Sequence, residues 1–523
     1  MDPGLSESEN SPSTEPTRFE AQKAAPTEPV TGSLLDCAIA ATDSTDHRAA
    51  QLLQQFLKET DATRAIACWL GNQSVRDGQQ LVRLLNRDVA RIDQLVNSQL
   101  NAILHAPAFQ RLEASWRGLV YLTEQAAGEE EGPLKVKVLH ATWRELERDF
   151  ERATEFDQSQ LFQKIYEQEF GTAGGEPYGL LIGDYEVHPQ PTATHPHVDL
   201  DVLSGISQVA AAAFCPFIAN THPSFLGLDD FSGIQQPLDF SETFEQVEWI
   251  KWRAMRQREE ARFVGLTLPH ILMRTPYEDE GTRIDQFCFR EQTDRREDYL
   301  WGGAAFAYGA VVLRAFARAG WLADIRGVRR GLDGGGLVTG LENHSFSTDL
   351  SGLALKSSTD VMITDEREKK LADLGFLPLC HCQDTQYAAF YSSQSIQKPQ
   401  VFDESVATIN SQISAMLSYM LCVSRFGHYI KVLGREKIGS FQEAADFERF
   451  LEDWIIQFVT SDDEAGPDVK ARFPLREASV NVRSNPGKPG SFQCHLHLVP
   501  HYELDQLQAR VSLVAELTPA ART

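Results

Sequence analysis

Apolar residues are nearly missing from positions 1–33, where Ser, Pro, Thr and Glu dominate. Such a composition cannot offset the entropy lost on ordering, and it predicts a disordered tail. Behind Ser33, an N-capping residue type, Leu34, Leu35, Ala38, Ile39 and Ala41 recur at helical spacing. They predict a short amphipathic helix that gains stability only on a partner surface. From about Asp46 to Gln125 the helical period is sustained through Leu52, Leu53, Phe56, then Leu81, Leu84, Leu85, then Ile92, Leu95, Leu100, Ile103, Leu104, and finally Leu112, Trp116, Leu119. Several amphipathic helices follow from that pattern. Trp116, like Trp301 and Trp454 further on, is placed in the core.

Beyond residue 130 the period changes. Val136 and Val138 alternate with lysines over Leu134–Leu139, as in a half-buried strand, and Tyr178–Ile182 is apolar as a buried strand is. Helical patterns at Thr142–Phe150, Val198–Ala213 and Ala304–Ala319 interleave with these strands and define an α/β core. A glycine-bearing loop, Gly327–Gly340, leads to a short predicted strand at Val361–Thr364. The last third carries two long helical patterns, Ala407–Leu433 and Phe441–Val459, then three strand patterns, Ala478–Arg483, Phe492–Val499 and Ala509–Leu517. The run from Asn485 to Gly490 between the first two strands is made of turn residues. The expected fold is therefore a multi-domain α/β (α+β) chain. It has a tail at 1–33, helical segments at 34–60 and 61–130, an α/β domain with an inserted region at 131–400, and a C-terminal domain of helices and strands at 401–523.

Charge narrows the function. Lys plus Arg number 49 against 74 Asp plus Glu, a net charge of −25 that disfavours nucleic acid and anionic lipid as partners. Eight scattered cysteines form no disulfide framework and no CxxC pair, which fits reduced thiols in a cytoplasmic setting. No apolar run is long enough to span a bilayer.

Candidate chemistry is sparse. Gly334-Gly335-Gly336 lacks the Lys-Ser/Thr of a phosphate-binding loop and reads as plain loop. Cys380-His381-Cys382, and His495, His497 and His501, have no second ligand pair at zinc-site spacing, so no metal is expected. Asp184-Tyr185-Glu186 sits at a strand end where α/β enzymes keep catalytic carboxylates, yet no nucleophile or base motif accompanies it. The charge run Asp365–Lys370 reads as a solvated helix face with i,i+4 pairs. No catalytic residue and no cofactor are expected.

Several segments resemble the TssC family of type VI secretion sheath proteins, also called VipB, ImpC or EvpB. They are the runs from Leu112 to Leu119, from Leu181 to Glu186, from Val264 to Pro269, from Tyr299 to Gly302, from Ile363 to Glu368, from Ser395 to Pro399 and from Arg425 to Leu433. Pro474-Leu475-Arg476-Glu477-Ala478, Pro486–Gly490 and Leu513–Leu517 continue the match in order to the end. Two positions depart from the family pattern. His270 stands where Arg is usual after Leu-Pro, and Gly303 stands where Asn is usual after Trp-Gly.

The resemblance implies a mixed-sheet core like that of contractile tail sheath proteins, and a structural subunit rather than an enzyme. Its implied partners are the small sheath subunit TssB, further sheath protomers, the Hcp inner tube, the baseplate and the AAA+ unfoldase ClpV. It further implies that the C-terminal strands, through Val480, Val482, Phe492, Leu496, Leu498, Val511, Leu513 and Val514, enter an inter-subunit sheet. The 34–41 helix, through Leu34, Leu35 and Ile39, falls where the family's unfoldase recognition helix lies. Two alternatives stay open: the sheath protein of another contractile injection device, and an unrecognised α/β enzyme using Asp184, Glu186 and His381.

Overall fold

The computed structural model describes residue 35, residues 47–501 and residues 511–517, except for 72, 74, 128–133, 194, 237–239, 280–286, 288, 329–332, 345–355, 383–384, 438–443, 463 and 485–491. The chain divides into two compact units, Met1–Val96 and Asn97–Thr523.

The first unit is helical. It holds α1 (His47–Lys58), α2 (Ala62–Leu70) and the first part of α3 (Gly78–Leu104). The Asp61 side chain accepts from Thr63 N–H at 2.8 Å and so starts α2, and Gly71, at φ 58°, ends it in a conformation costly for other residues. Trp69 Nε1–H donates to the buried Asp88 carboxylate of α3 at 3.0 Å, tying the two helices together, and the Phe56 ring of α1 lies 5.2 Å from the Trp69 ring.

The second unit also holds α4 (Pro107–Ala127), α5 (Trp143–Arg152), α6 (Asp199–Ala213), α7 (Ala305–Ala319), α8 (Asp365–Asp373), α9 (Leu417–Glu436) and α10 (Ala444–Ile455), together with a helix at Ser405–Ser414 and further short helical segments. The strands are β1 (Leu181–Val187), β2 (Phe217–Thr221), β3 (Val264–Leu268), β4 (His270–Leu272), β5 (Trp301–Gly303), β6 (Leu337–Val338), β7 (Leu377–Pro378), β8 (Cys380–His381) and β9 (Ala388–Ala389). Near the end come β10 (Leu475–Ser484), β11 (Phe492–Pro500) and β12 (Val511–Leu517).

A parallel sheet in the order β1-β2-β3-β7 forms the centre. Every residue of β2 and β3 is buried, as expected for strands covered on both faces. Phe217 and Ala219 of β2 point into a large apolar cluster with Leu203 and Ile206 of α6 and Phe426 of α9. Ile218 points the other way, to a second cluster built on α7. Helix α4 packs on α7 at Gly118, where a Cβ would stand 2.5 Å from the Phe306 ring, so only glycine permits the approach. A two-stranded antiparallel sheet, β4-β5, and a three-stranded one, β6-β9-β8, lie at the margin, and β10-β11-β12 form a separate antiparallel sheet.

The mixed α/β character read from the sequence holds, and several details differ. Residues 134–140 form no strand: Val138 is 70% exposed, and Lys135 and Lys137 pair with Glu176 and Glu169 instead of lining a sheet. Thr359 makes one isolated bridge to Ile271, and Val361–Thr364 lead into α8 without forming a strand. The long pattern over Ala407–Leu433 is two helices, Ser405–Ser414 and α9. The break falls where a second chain segment crosses: Ser395 N–H donates to Ala415 O at 3.1 Å and Leu417 N–H to Ser393 O at 2.8 Å, bonds a continuous helix would need for itself. Trp116 is not core; it is 62% exposed on α4 beside Leu112 and Val120. The 365–370 run does form the Glu366–Lys370 pair at 2.7 Å, but Glu368 turns inward and accepts from Ser392 N–H at 3.1 Å. Asn485–Gly490 and residues 1–33 lie outside the described residues.

Candidate assembly site

Strand β10 pairs antiparallel with β11 from Glu477↔Val499 to Ser484↔Phe492, and β11 pairs with β12 from Phe492↔Leu517 to Leu498↔Val511. Alternation of side chains sends Val480, Val482, Cys494, Leu496 and Leu498 to one buried face, and leaves Ser479, Asn481 and Arg483 exposed on the other. Phe492 is half-buried, with its ring 6.2 Å from Phe447 of α10. Leu513 stands opposite Leu496 in the ladder, and Val514 opposite His495. Of the eight residues expected in assembly strands, all therefore sit in this one sheet. Leu35 is helical and buried in the first unit, while Leu34 and Ile39 lie outside the described residues.

The two borders of the sheet differ. At β10 the outer backbone is met by the chain itself. Val482 N–H donates to Glu448 Oε2 at 2.7 Å, Thr460 N–H donates to Leu475 O at 2.8 Å, and Val459 bridges Leu475 in parallel. Because Val482 N–H points away from β11, Cys494 opposite it must turn its backbone groups toward β12, and the two-residue alternation carries through the ladder. Ala515, Leu513 and Val511 then bond to β11, and the backbone groups of Ser512, Val514 and Glu516 point outward. Among the described residues no strand pairs with that outer border of β12.

The carboxylates of the enzyme alternative are engaged locally. Asp184 accepts a hydrogen bond from Ser115 Oγ on α4, and Glu186 pairs with His270 at 3.0 Å. His381 lies on β8 with Nδ1 3.5 Å from Ser358 Oγ. A cavity of about 590 Å³, lined in part by Arg314, Arg318, Asp324, Asp468 and Arg472, includes none of the three. Gly335 donates to Asp324 and its carbonyl accepts from Arg314 at 2.8 Å, so the glycine-rich run is held as a structural loop.

The two departures from the family pattern have physical partners. His270 sits between Asp360 and Glu186, each 3.0 Å away. Burial opposes its charge, but the two carboxylates outweigh that and raise it to about 10, which favours the cation between them. At Gly303 a Cβ would lie 2.1 Å from Asn220 Nδ2, because the Asn220 amide fills that space. Its Oδ1 accepts from Ala305 N–H at 2.9 Å at the start of α7.

A feature absent from the sequence reading is a group of histidines at the C-terminal ends of the parallel strands: His188 after β1, His222 after β2 and His270 on β4 just after β3, with His195 and His197 from the connection to α6. The signal was available in the dense run His188, His195, His197 and Asp199 directly behind a predicted strand.

A family model described as EvpB/VC_A0108 tail sheath N-terminal domain matches residues 86–397, and one described as EvpB/VC_A0108 tail sheath gpW/gp25-like domain matches residues 406–517. The chain is 36% identical over 492 residues to the type VI secretion system sheath protein TssC1 of Pseudomonas aeruginosa (strain PAO1), an alignment covering 92% of this chain and 96% of that protein. A chain of the cryo-EM structure of the anti-feeding prophage baseplate aligns over 62% of this chain and 64% of its own at 9% identity, with a TM-score of 0.30 too low to bear on the fold. The chain belongs to the VipB/EvpB family of type VI secretion sheath proteins. Its role is structural, as a subunit of a contractile sheath.

Proposed function

We propose that this chain is the large sheath subunit, that it forms its lattice together with a small TssB-like subunit, and that the outer border of β12 is where a strand of another subunit adds. The observation that carries the reading is the asymmetry of the C-terminal sheet: β10 is closed by Glu448, Thr460 and Val459, whereas β12 presents outward backbone groups at Ser512, Val514 and Glu516. Main-chain hydrogen bonds added at such an edge couple neighbours while the packed domains shift relative to one another, which suits a lattice that shortens without dissociating. The sheath would enclose an Hcp tube, rest on a baseplate and work in the cytoplasm. Among the described residues no helix is long and apolar enough to cross a membrane. The chain needs no catalytic group for this, since the energy of shortening is held in lattice contacts.

Co-expression with the small sheath subunit of the same system, followed by negative-stain electron microscopy, tests the reading. Hollow tubes are expected from the pair and not from the large chain alone. A monodisperse monomer that forms no tubes with its partner contradicts it.

Recycling by a ClpV-type unfoldase through the 34–41 helix belongs to the same reading. A short amphipathic helix behind a low-complexity tail is suited to ordering in a groove through Leu34, Leu35 and Ile39. Replacing Leu35 and Ile39 together by Asp is expected to leave tubes intact and to block their ATP-dependent disassembly by the unfoldase, followed by turbidity. Normal disassembly would remove the helix from this role and leave the sheath reading in place.

A further inference from the structure

The histidines behind β1 converge on one buried carboxylate. Asp199, in the first turn of α6, has a fully buried side chain. Its Oδ1 lies 2.7 Å from His195 Nε2, and its Oδ2 lies 3.4 Å from His188 Nδ1 while also accepting from His188 N–H at 2.8 Å. The His188 and His195 rings are nearly parallel, with centroids 4.1 Å apart. One ligand atom from each of His188, His195 and Asp199 falls within 4.8 Å of the others.

The surroundings hold these groups in place. Thr192 N–H donates to His195 O at 2.7 Å and His195 N–H to Thr192 Oγ1 at 3.0 Å, closing a turn that fixes His195. His197 Nδ1 is engaged by Glu147 of α5 at 2.6 Å. His222 stacks on His188 at 4.0 Å, and its Nδ1 accepts from Ser224 N–H at 3.2 Å, so its proton is on Nε2. It therefore buttresses the ring of His188 and offers no free lone pair to the cluster.

We propose that His188, His195 and Asp199 bind a divalent transition ion of the zinc class, with water completing the coordination. Two imidazole nitrogens and one carboxylate oxygen are a borderline donor set, matched to Zn²⁺ or Co²⁺ rather than to Ca²⁺ or Mg²⁺, which take mainly oxygen. Bonds of about 2.0–2.1 Å place the donors of such an ion roughly 3.3 Å apart, so His195 Nε2 and Asp199 Oδ1, 2.7 Å apart without it, separate while the wider pairs close. Rotation of the His188 and His195 rings about their side-chain bonds would supply that adjustment, with Asp199 anchored in the first turn of α6. The ion would staple this connection to the helix at the C-terminal border of the parallel sheet, and the site does not depend on the sheath reading.

The test uses the full chain, produced without a polyhistidine tag, stripped with a chelator and titrated with Zn²⁺ by calorimetry and with Co²⁺ by visible absorption. The expected result is about one equivalent of ion per chain, a rise in melting temperature on Zn²⁺ addition, and visible bands of Co²⁺ in a low-coordinate site. His195→Gln, at a half-buried position, is expected to lower affinity at least about tenfold and to abolish the melting shift. His497→Gln, on β11, should change neither. X-ray absorption of the Zn²⁺-loaded unsubstituted chain should show two imidazole ligands, which keeps the test decisive if His195→Gln fails to fold. Absence of stoichiometric binding, undiminished binding in folded His195→Gln, or a shell with fewer than two imidazoles overturns the proposal.

Discussion

At Gly303 the side chain that would be added and the side chain already present compete for one space. A Cβ there meets Asn220 Nδ2 at 2.1 Å, and Asn220 cannot retreat without releasing Ala305 N–H and Thr267 Oγ1. Gly303→Ala is expected to destabilise by about 2–3 kcal/mol, read from urea-denaturation midpoints. Combining it with Asn220→Ala should cost less than the sum of the two single changes by about 1 kcal/mol or more. Strict additivity would show that the two positions do not share the space. His428 makes a second case. It is buried in α9, with Nε2–H bonded to Ala213 O at 2.9 Å, and burial is the main cause that lowers it to about 4 from the ordinary 6.5. The unfolded chain thus takes up this proton below about pH 6.5, while the folded chain refuses it until about pH 4. Its contribution is complete above pH 6.5 and is lost as pH falls toward 4, on the order of 3 kcal/mol. His428→Phe should be less acid-sensitive than the unsubstituted chain between pH 7 and pH 4.5 in urea denaturation; equal sensitivity contradicts this. The motif from Arg425 to Leu433 was legible as a string of residues, but its physical content, with Phe426 stacked at 4.2 Å on Trp321 and Lys431 over Phe170 at 3.8 Å, needs contacts from distant parts of the chain.

Elements with a strong internal period were legible, and those set by neighbours were not. Helices α6 and α7 begin and end within a residue of their predicted limits; the buried positions of α6 repeat at helical spacing, whereas α7 is buried on nearly every side from Ala305 to Val312. Thr142 and Glu145 form the capping box that starts α5, a signal local in sequence. By contrast, the alternation over Leu134–Leu139 is what a strand has, yet among the described residues no strand pairs with it. The break at Ala415 and Met416 depends on Ser393–Ser395, a crossing that periodicity cannot report. The exposed stripe of Leu112, Trp116 and Val120 on α4 looks like a core face from sequence alone. The C-terminal strands were legible as strands, but which border is open emerges only from Glu448 and Thr460 closing β10. That asymmetry predicts different outcomes for two adjacent prolines. Val514→Pro removes an outward donor and should abolish tubes while the isolated chain keeps its circular dichroism and melting temperature. Leu513→Pro removes a bond to β11 and should also lower the stability of the sheet. Identical behaviour of the two variants, in either direction, would show that the outward set has been misassigned.

The whole molecule explains why the sequence spoke more clearly of family than of site. The working surface we propose for this sheath subunit is an edge of backbone groups, which any side chains can carry, and not a constellation of named residues. The histidines and Asp199 at the end of the parallel strands come together only when β1, β2 and the first turn of α6 are in place, and single positions such as His188 or His222 carry no meaning by themselves. A net charge of −25 disfavours non-specific association between copies, which suits the proposed assembly through specific pairing at defined edges. The most direct measurement is a cryo-EM reconstruction of tubes formed by this chain with its small partner. The account predicts a strand from another subunit hydrogen-bonded to the outer border of β12, with Ser512, Val514 and Glu516 as its backbone partners. Well-ordered tubes in which that border is solvent-exposed would contradict it.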